Sequence, residues 1–284
     1  MENILIVSAF LFLLLVNCDS SSLPVIDHQS PEEETNLPNE LGPRIIGGEF
    51  AAPGEFPYYV QVMSQLGDYF PSCGGSLIDG LTIITAAHCV WDGDEPAKMI
   101  LVKSNSKNRL LLSKQPFEWE IINGTKLIVH ENYTITNEGI PLNDIAIIKL
   151  DSKRLPSTLS PTRKGIRLAS KKYPIGTQVV LAGFGLTESG RSPDFLKKKK
   201  SSVISNDNYA DNQLPGVLFT QRSDEDLVYI GDSGGPVVVK GKSPNQDELI
   251  GIISFGDDYL DGNREGSTDI YHYLNWIRTK IGSS

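Results

Sequence analysis

Apolar and polar positions follow three regimes along the chain. Ile4 to Val16 is an apolar run of 13 residues broken only by Ser8. It is shorter than the roughly 20 residues that a membrane-spanning helix needs, and its length suits the apolar stretch of a secretory signal. Small or neutral residues at Val16 and Cys18 place cleavage between 18 and 22, so residues 1–18 read as a signal peptide. From 19 to 44 the apolar period disappears. Pro24, Pro31, Pro38 and Pro43 interrupt a segment that also carries Glu32-Glu33-Glu34, the composition of an acidic disordered propeptide.

From residue 45 onward, short apolar or alternating segments are separated by Gly, Pro, Asn and Asp. Tyr58 to Met63, Gly75 to Ile78, Thr82 to Thr85, Ile145 to Leu150, Gln178 to Ala182, Val237 to Lys240 and Leu249 to Ser254 predict strands. Only Tyr271 to Ile281 predicts a helix, with Leu274, Ile277 and Ile281 at three- and four-residue spacing. The body is therefore read as one all-β unit over 45–284, with two packed barrels as one arrangement of its strands.

The chain of 284 residues carries a formal net charge of -9. Most of that charge lies in the leader, since residues 45–284 hold 25 basic and 28 acidic side chains, a net of -3. Neither figure suits a protein that binds nucleic acid by counterion release. Of 3 cysteines, Cys18 falls at the edge of the signal segment. The remaining pair, Cys73 and Cys89, reads as one disulfide in an oxidising compartment. No metal-ligand spacing is present, and neither a metal nor another cofactor is expected.

Three strings carry chemistry. Gly231-Asp232-Ser233-Gly234-Gly235-Pro236 sets a hydroxyl in a glycine-dense turn before the apolar run Val237-Val238-Val239. Glycine lets the backbone approach a substrate closely, so Ser233 is a candidate nucleophile beside free backbone N–H groups. Thr85-Ala86-Ala87-His88-Cys89 supplies an imidazole at the end of a strand. Asn143-Asp144, ahead of Ile145-Ala146-Ile147-Ile148, supplies a carboxylate whose burial demands a donor such as an imidazole N–H.

These strings resemble the trypsin and chymotrypsin family of serine endopeptidases, and the similarity runs through residues 45–284. The order His, Asp, Ser fits that family and differs from the subtilisin and α/β-hydrolase orders. Cys73-Gly74-Gly75-Ser76-Leu77-Ile78, Ala182-Gly183-Phe184-Gly185, Ser254-Phe255-Gly256, Tyr273 and Trp276-Ile277 match as well. The resemblance implies two packed antiparallel six-stranded β-barrels with a C-terminal helix. It implies His88 as base, Asp144 as its orienting acid, Ser233 as nucleophile, and an oxyanion hole from the backbone N–H groups of Gly231 and Ser233. It also implies a zymogen, in which an arginine-specific protease cuts after Arg44 and frees Ile45 to pair with Asp232. Expected partners are a protein or peptide substrate, that activating protease and a protein protease inhibitor. The processed enzyme is expected to be a secreted monomer that binds neither nucleic acid nor membrane. The alternative is a catalytically silent homologue that binds a partner through the same cleft.

The chain departs from the family's pattern in its disulfides. Val179 and Val239 stand where one bridge would lie, Thr220 marks a second lost end, and Tyr229 stands where a cysteine usually flanks the specificity pocket. Leu227 and Val228 at the pocket floor, with Ser254, Phe255 and Gly256 along the cleft, predict a hydrophobic primary specificity. Asp226 and Glu265 are the two acids that would turn the pocket toward Lys or Arg if either reached in, and a solvated loop carboxylate is the commoner fate. Asn123 and Asn132 head glycosylation acceptor strings. Lys197 to Lys200 reads as a solvated basic edge.

Overall fold

The computed structural model describes residues 48–104, 120–122, 127–150, 165–187, 190–205, 214–222, 228–256 and 264–282. The first half contributes strands β1 (Glu49–Phe50), β2 (Tyr59–Gln65), β3 (Ser72–Leu77), β4 (Thr82–Thr85), β5 (Met99–Ser104), β6 (Glu120–Ile122), β7 (Leu127–Val129), β8 (Thr134–Ile135), β9 (Pro141–Leu142) and β10 (Ala146–Lys149). The second contributes β11 (Arg167–Leu168), β12 (Gln178–Gly183), β13 (Lys197–Ser202), β14 (Val217–Gln221), β15 (Pro236–Val239), β16 (Glu248–Phe255) and β17 (Arg264–Asp269), and helix α1 (Leu274–Gly282) closes the chain. The architecture is all-β with one C-terminal helix, as the strand pattern predicts.

Two antiparallel sheets carry the fold, each curled into a half-barrel. The first runs β6-β5-β2-β3-β4-β10-β7. Its curl follows from chain connectivity. Ile122 and Leu127 end opposite edges of this sheet yet are five residues apart in sequence. That step reaches at most roughly 18 Å, whereas the ends of a flat seven-stranded sheet would lie roughly 29 Å apart. Counting β6 and β7 as one bent edge gives six strands.

The second sheet runs β1-β13-β12-β15-β16-β17-β14, with the short β11 parallel to β16. Its ring closes through a bridge between Val203, just past β13, and Thr220 on β14, continued by Ile204 N–H to Phe219 C=O at 3.0 Å. Six strands make that ring, and β1 and β11 add at its margin. Buried apolar residues fill both sheets, including Val60, Val62, Ile83 and Ile147 in the first and Leu181, Val237, Ile252 and Ile253 in the second. Register also bears on the lost bridge. The pairing of Val180 with Val238 sets Val179 beside Val239, and the buried Val179 and partly buried Val239 both pack on the core.

One sequence reading is corrected. Lys197 to Lys200 is not a solvated edge but part of β13, paired with β12 on one side and β1 on the other. The strand's two-residue period buries Lys197 and Lys199 and leaves Lys200 exposed. Each lysine is matched: Lys198 pairs with Glu55 at 2.8 Å, Lys200 with Glu49 at 3.1 Å, Lys199 with Glu265 at 2.6 Å, and Lys197 Nζ lies 5.5 Å from the centre of the Phe50 ring. A run of one polar residue type carries no apolar alternation, so the sequence pattern hid the strand.

Candidate active site

His88 sits in a 3-10 turn, Ala87–Cys89, that caps β4. The turn is anchored by the disulfide Cys73–Cys89, which ties it to β3, and by the Ser64 hydroxyl donating to the Cys89 carbonyl. Asp144 lies just ahead of β10, which pairs with β4. The two loops at the ends of these neighbouring strands therefore bring His88 and Asp144 together. Asn143 holds the approach in a left-handed conformation with φ 53, which Asn tolerates better than most residues. Its side chain is pinned by the Tyr273 hydroxyl at 3.0 Å and by its own donation to the Asn132 carbonyl at 2.8 Å.

Asp144 is buried and fully engaged. His88 backbone N–H donates to Oδ1 at 2.9 Å and ring Nδ1 lies 2.8 Å from Oδ2, which also accepts from the Ser254 hydroxyl. The Thr268 hydroxyl donates to the Asp144 carbonyl at 2.7 Å. Burial alone would raise the Asp144 pKa, but the His88 charge and these donors outweigh it and hold the carboxyl below its ordinary value. An ionised carboxylate only accepts, so Nδ1 carries a hydrogen and Nε2 is left to face the cleft. For His88 burial disfavours the charged ring, yet the Asp144 charge and hydrogen bond prevail and raise its pKa. The ring keeps 30% of its surface exposed.

Ser233 occupies the turn that leads into β15. Gly74 N–H on β3 donates to the Ser233 carbonyl at 2.7 Å, and Gly234 N–H donates to the Ile253 carbonyl on β16 at 2.7 Å. The turn is thus stitched to both sheets, at the seam between them. Gly231 adopts φ 100, open to glycine and strained for other residues. Among the described residues, neither the Gly231 nor the Ser233 backbone N–H finds an acceptor. No hydrogen bond joins the Ser233 hydroxyl to His88; catalytic hydrogen bonds often tighten only when substrate is bound.

Ser233 and His88 line one cavity of about 530 Å³, together with Val228, Phe255, Gly256 and Glu265. Ser254 lines it as well, although its hydroxyl is committed to Asp144. A larger cavity of about 720 Å³ shares none of these residues and runs along β14 and the 171–175 segment.

Behind the turn, Asp232 is buried between the second sheet and the segment preceding Ser233. It accepts from Gly185 N–H at 2.7 Å and Tyr229 N–H at 3.0 Å. A side chain at Gly183 or Gly185 would run into its carboxyl, which explains the glycines of Ala182-Gly183-Phe184-Gly185. Burial pushes the Asp232 carboxyl up to about 6, against the two N–H donors; the Glu265 charge adds to the rise and the Lys199 charge reduces it.

Glu265 is not a solvated loop carboxylate, although it lines the cavity. It lies on β17, 2% exposed, and accepts from Lys199 Nζ at 2.6 and 2.7 Å and from Val228 N–H at 2.9 Å. Thr220, the lost bridge end, is its cross-strand neighbour on β14. Tyr229 is 44% exposed. Arg44, Ile45, Asn123, Asp226 and Leu227 lie outside the described residues, and Asn132 is exposed.

The family model described as Trypsin matches residues 45–277. Trypsin of Sus scrofa is 31% identical over 259 residues, covering 87% of this chain and all of the relative. Trypsin eta of Drosophila erecta is 30% identical over 84% of this chain and 90% of its own length. Transmembrane protease serine 11C of Mus musculus is 31% identical over 93% of this chain and 62% of its own length. Among the described residues no helix is long and apolar enough to cross a membrane.

Proposed function

Since the chain belongs to the trypsin family of serine proteases, we propose that it is a serine endopeptidase, secreted as a zymogen and activated by cleavage after Arg44. One observation carries the reading. An imidazole oriented by a buried carboxylate opens onto the same cavity as a serine whose backbone N–H, like that of Gly231, has no acceptor among the described residues.

In the reaction, Ser233 Oγ attacks the substrate's scissile carbonyl carbon while His88 Nε2 takes the hydroxyl proton. Asp144 keeps Nδ1 protonated and stabilises the imidazolium that forms. The N–H groups of Gly231 and Ser233 receive the charge that develops on the carbonyl oxygen; loss of one such donor typically costs about 10²- to 10³-fold in kcat. Imidazolium then protonates the leaving amine as the acyl-enzyme forms. Water, deprotonated by the same nitrogen, releases the acid and restores Ser233.

Activation follows from the position of Asp232. Among the described residues the groups that donate to its buried carboxylate are the neutral N–H groups of Gly185 and Tyr229, and an Ile45 ammonium freed by cleavage would give it an ionic partner. The segment it touches, Tyr229 to Ser233, carries the oxyanion donors. The test is labelling by a fluorophosphonate probe after cleavage at Arg44, with wild type and Ser233→Ala compared. Label on wild type and none on the variant is the expected result. Absence of label on verified cleaved wild type would identify a silent homologue instead.

A further inference from the structure

Glu265 lines the cleft at the wall where substrate side chains would lodge, yet its carboxylate is bonded to protein donors. Lys199 reaches it from the interior face of β13, and Val228 N–H bonds the oxygen Oε1 that also meets Lys199. Three of the roughly four acceptor sites of the carboxylate are taken by protein donors. Lys199 and Glu265 are 1% and 3% exposed by side chain, so their attraction is poorly screened by solvent. A basic side chain entering the cavity would meet Glu265 already neutralised, with an ammonium directly behind it.

We infer that Lys199 is a specificity-determining residue, which keeps Glu265 from recognising Lys or Arg and so suits the cleft to uncharged substrate side chains. The inference rests on reading this cavity as the substrate cleft. Among the described residues the cavity's other charged lining residue, besides His88, is Arg222, and it adds nothing that would attract a cation. Lys199 does not touch the cavity; it acts through Glu265. The pair explains why a lysine stands inside a barrel: it is the counter-charge for the acid on the neighbouring wall. Replacing Lys199 with the similarly long but neutral Met leaves Glu265 as an uncompensated acceptor facing the cleft. Replacing both removes the charge altogether.

The test is binding of benzamidine, a planar cation, to protein cleaved at Arg44, measured by titration calorimetry for wild type, Lys199→Met and Lys199→Met/Glu265→Gln. Binding is expected to be weak in wild type, at least tenfold tighter in Lys199→Met, and weak again in the double variant. Equal affinity in wild type and Lys199→Met overturns the inference, as does equal affinity in the single and double variants. Because binding needs no turnover, this result stands apart from the fluorophosphonate result that tests catalysis. Where Lys199→Met fails to fold by circular dichroism, the wild-type cleavage profile decides. Preference for Leu, Met or Phe over Lys and Arg before the scissile bond supports the inference, and preference for Lys or Arg overturns it.

Discussion

Asp144 grips His88 at two points, the backbone N–H at Oδ1 and ring Nδ1 at Oδ2, so one carboxylate fixes both where the turn sits and how the ring is rotated. The Ser254 hydroxyl also donates to Oδ2. The Asp144→Asn variant would keep the shape and lose the function. An amide nitrogen in place of one oxygen puts a donor against a donor, favouring the other tautomer. The processed variant is expected to lose about 10⁴-fold in kcat. The pH profile carries the sharper prediction. A raised His88 pKa means that activity appears as pH rises through a value above the usual roughly 6.5. In Asp144→Asn that acidic limb moves to lower pH, because the burial that disfavours the charged ring then acts unopposed. An unmoved limb in the residual activity would show that Asp144 does not set the titration.

The disulfide gives a prediction that separates stability from geometry. Cys73 and Cys89 close a loop with a sequence separation of 16. Replacing both with Ala is expected to cost about 3 kcal/mol, read as a lower denaturant midpoint. Cys89 follows His88 directly, so the variant is also expected to lose kcat at temperatures where it remains fully folded. Unchanged kcat in the folded variant would mean that the Asp144 hydrogen bonds alone hold the imidazole in place.

Sequence legibility followed local chemistry. Thr85-Ala86-Ala87-His88-Cys89 and Gly231-Asp232-Ser233-Gly234-Gly235-Pro236 are continuous strings whose residue types announce a turn and a reactive group, so they could be read without knowing what surrounds them. Strands β4, β12, β15 and β16 were visible because their apolar residues mark which positions face the core. Strand β13 was not, because Lys197 and Lys199 enter the interior by meeting groups contributed by β1 and β17, far away in sequence. Glu265 was misread for the same reason: a carboxylate's environment depends on its partner, and Lys199 lies 66 residues away. The grip of Ser254 and Thr268 on Asp144 was equally hidden, since a serine or threonine in a strand carries no mark of the acceptor it will find.

Gly185 offers a test of close packing. Any side chain there would displace the Asp232 carboxyl, which lies against the Gly185 backbone and accepts its N–H. Gly185→Ala is expected to destabilise the protein by about 1 to 3 kcal/mol through overpacking. Because Asp232 adjoins Ser233, fluorophosphonate labelling should fall by more than the folded fraction does. Gly190→Ala is a control for the substitution itself, since its added carbon meets nothing, although its positive φ of 69 also carries strain. Equal loss of labelling in both variants would remove the special role of Gly185.

Asp232 makes the effect of activation measurable as the loss of a pH dependence. In the structure its carboxyl titrates near 6, above the ordinary 3.8, because burial disfavours its charge. A raised carboxyl pKa favours the folded state fully below the unfolded value. That contribution disappears as pH climbs through about 6, a difference of at most about 3 kcal/mol. Uncleaved wild type should therefore lose stability relative to uncleaved Asp232→Asn between pH 4 and pH 7. Once Ile45 is free, its ammonium would hold the carboxylate ionised and bring its pKa below the unfolded value. Cleaved wild type should then hold nearly constant stability relative to cleaved Asp232→Asn between pH 4 and pH 7, and lose it only as pH falls below about 4, where the paired carboxylate is protonated. Thermal melts of the four proteins at several pH values read both slopes. The same slope before and after cleavage would mean that Ile45 does not reach Asp232, and the activation step would need another trigger.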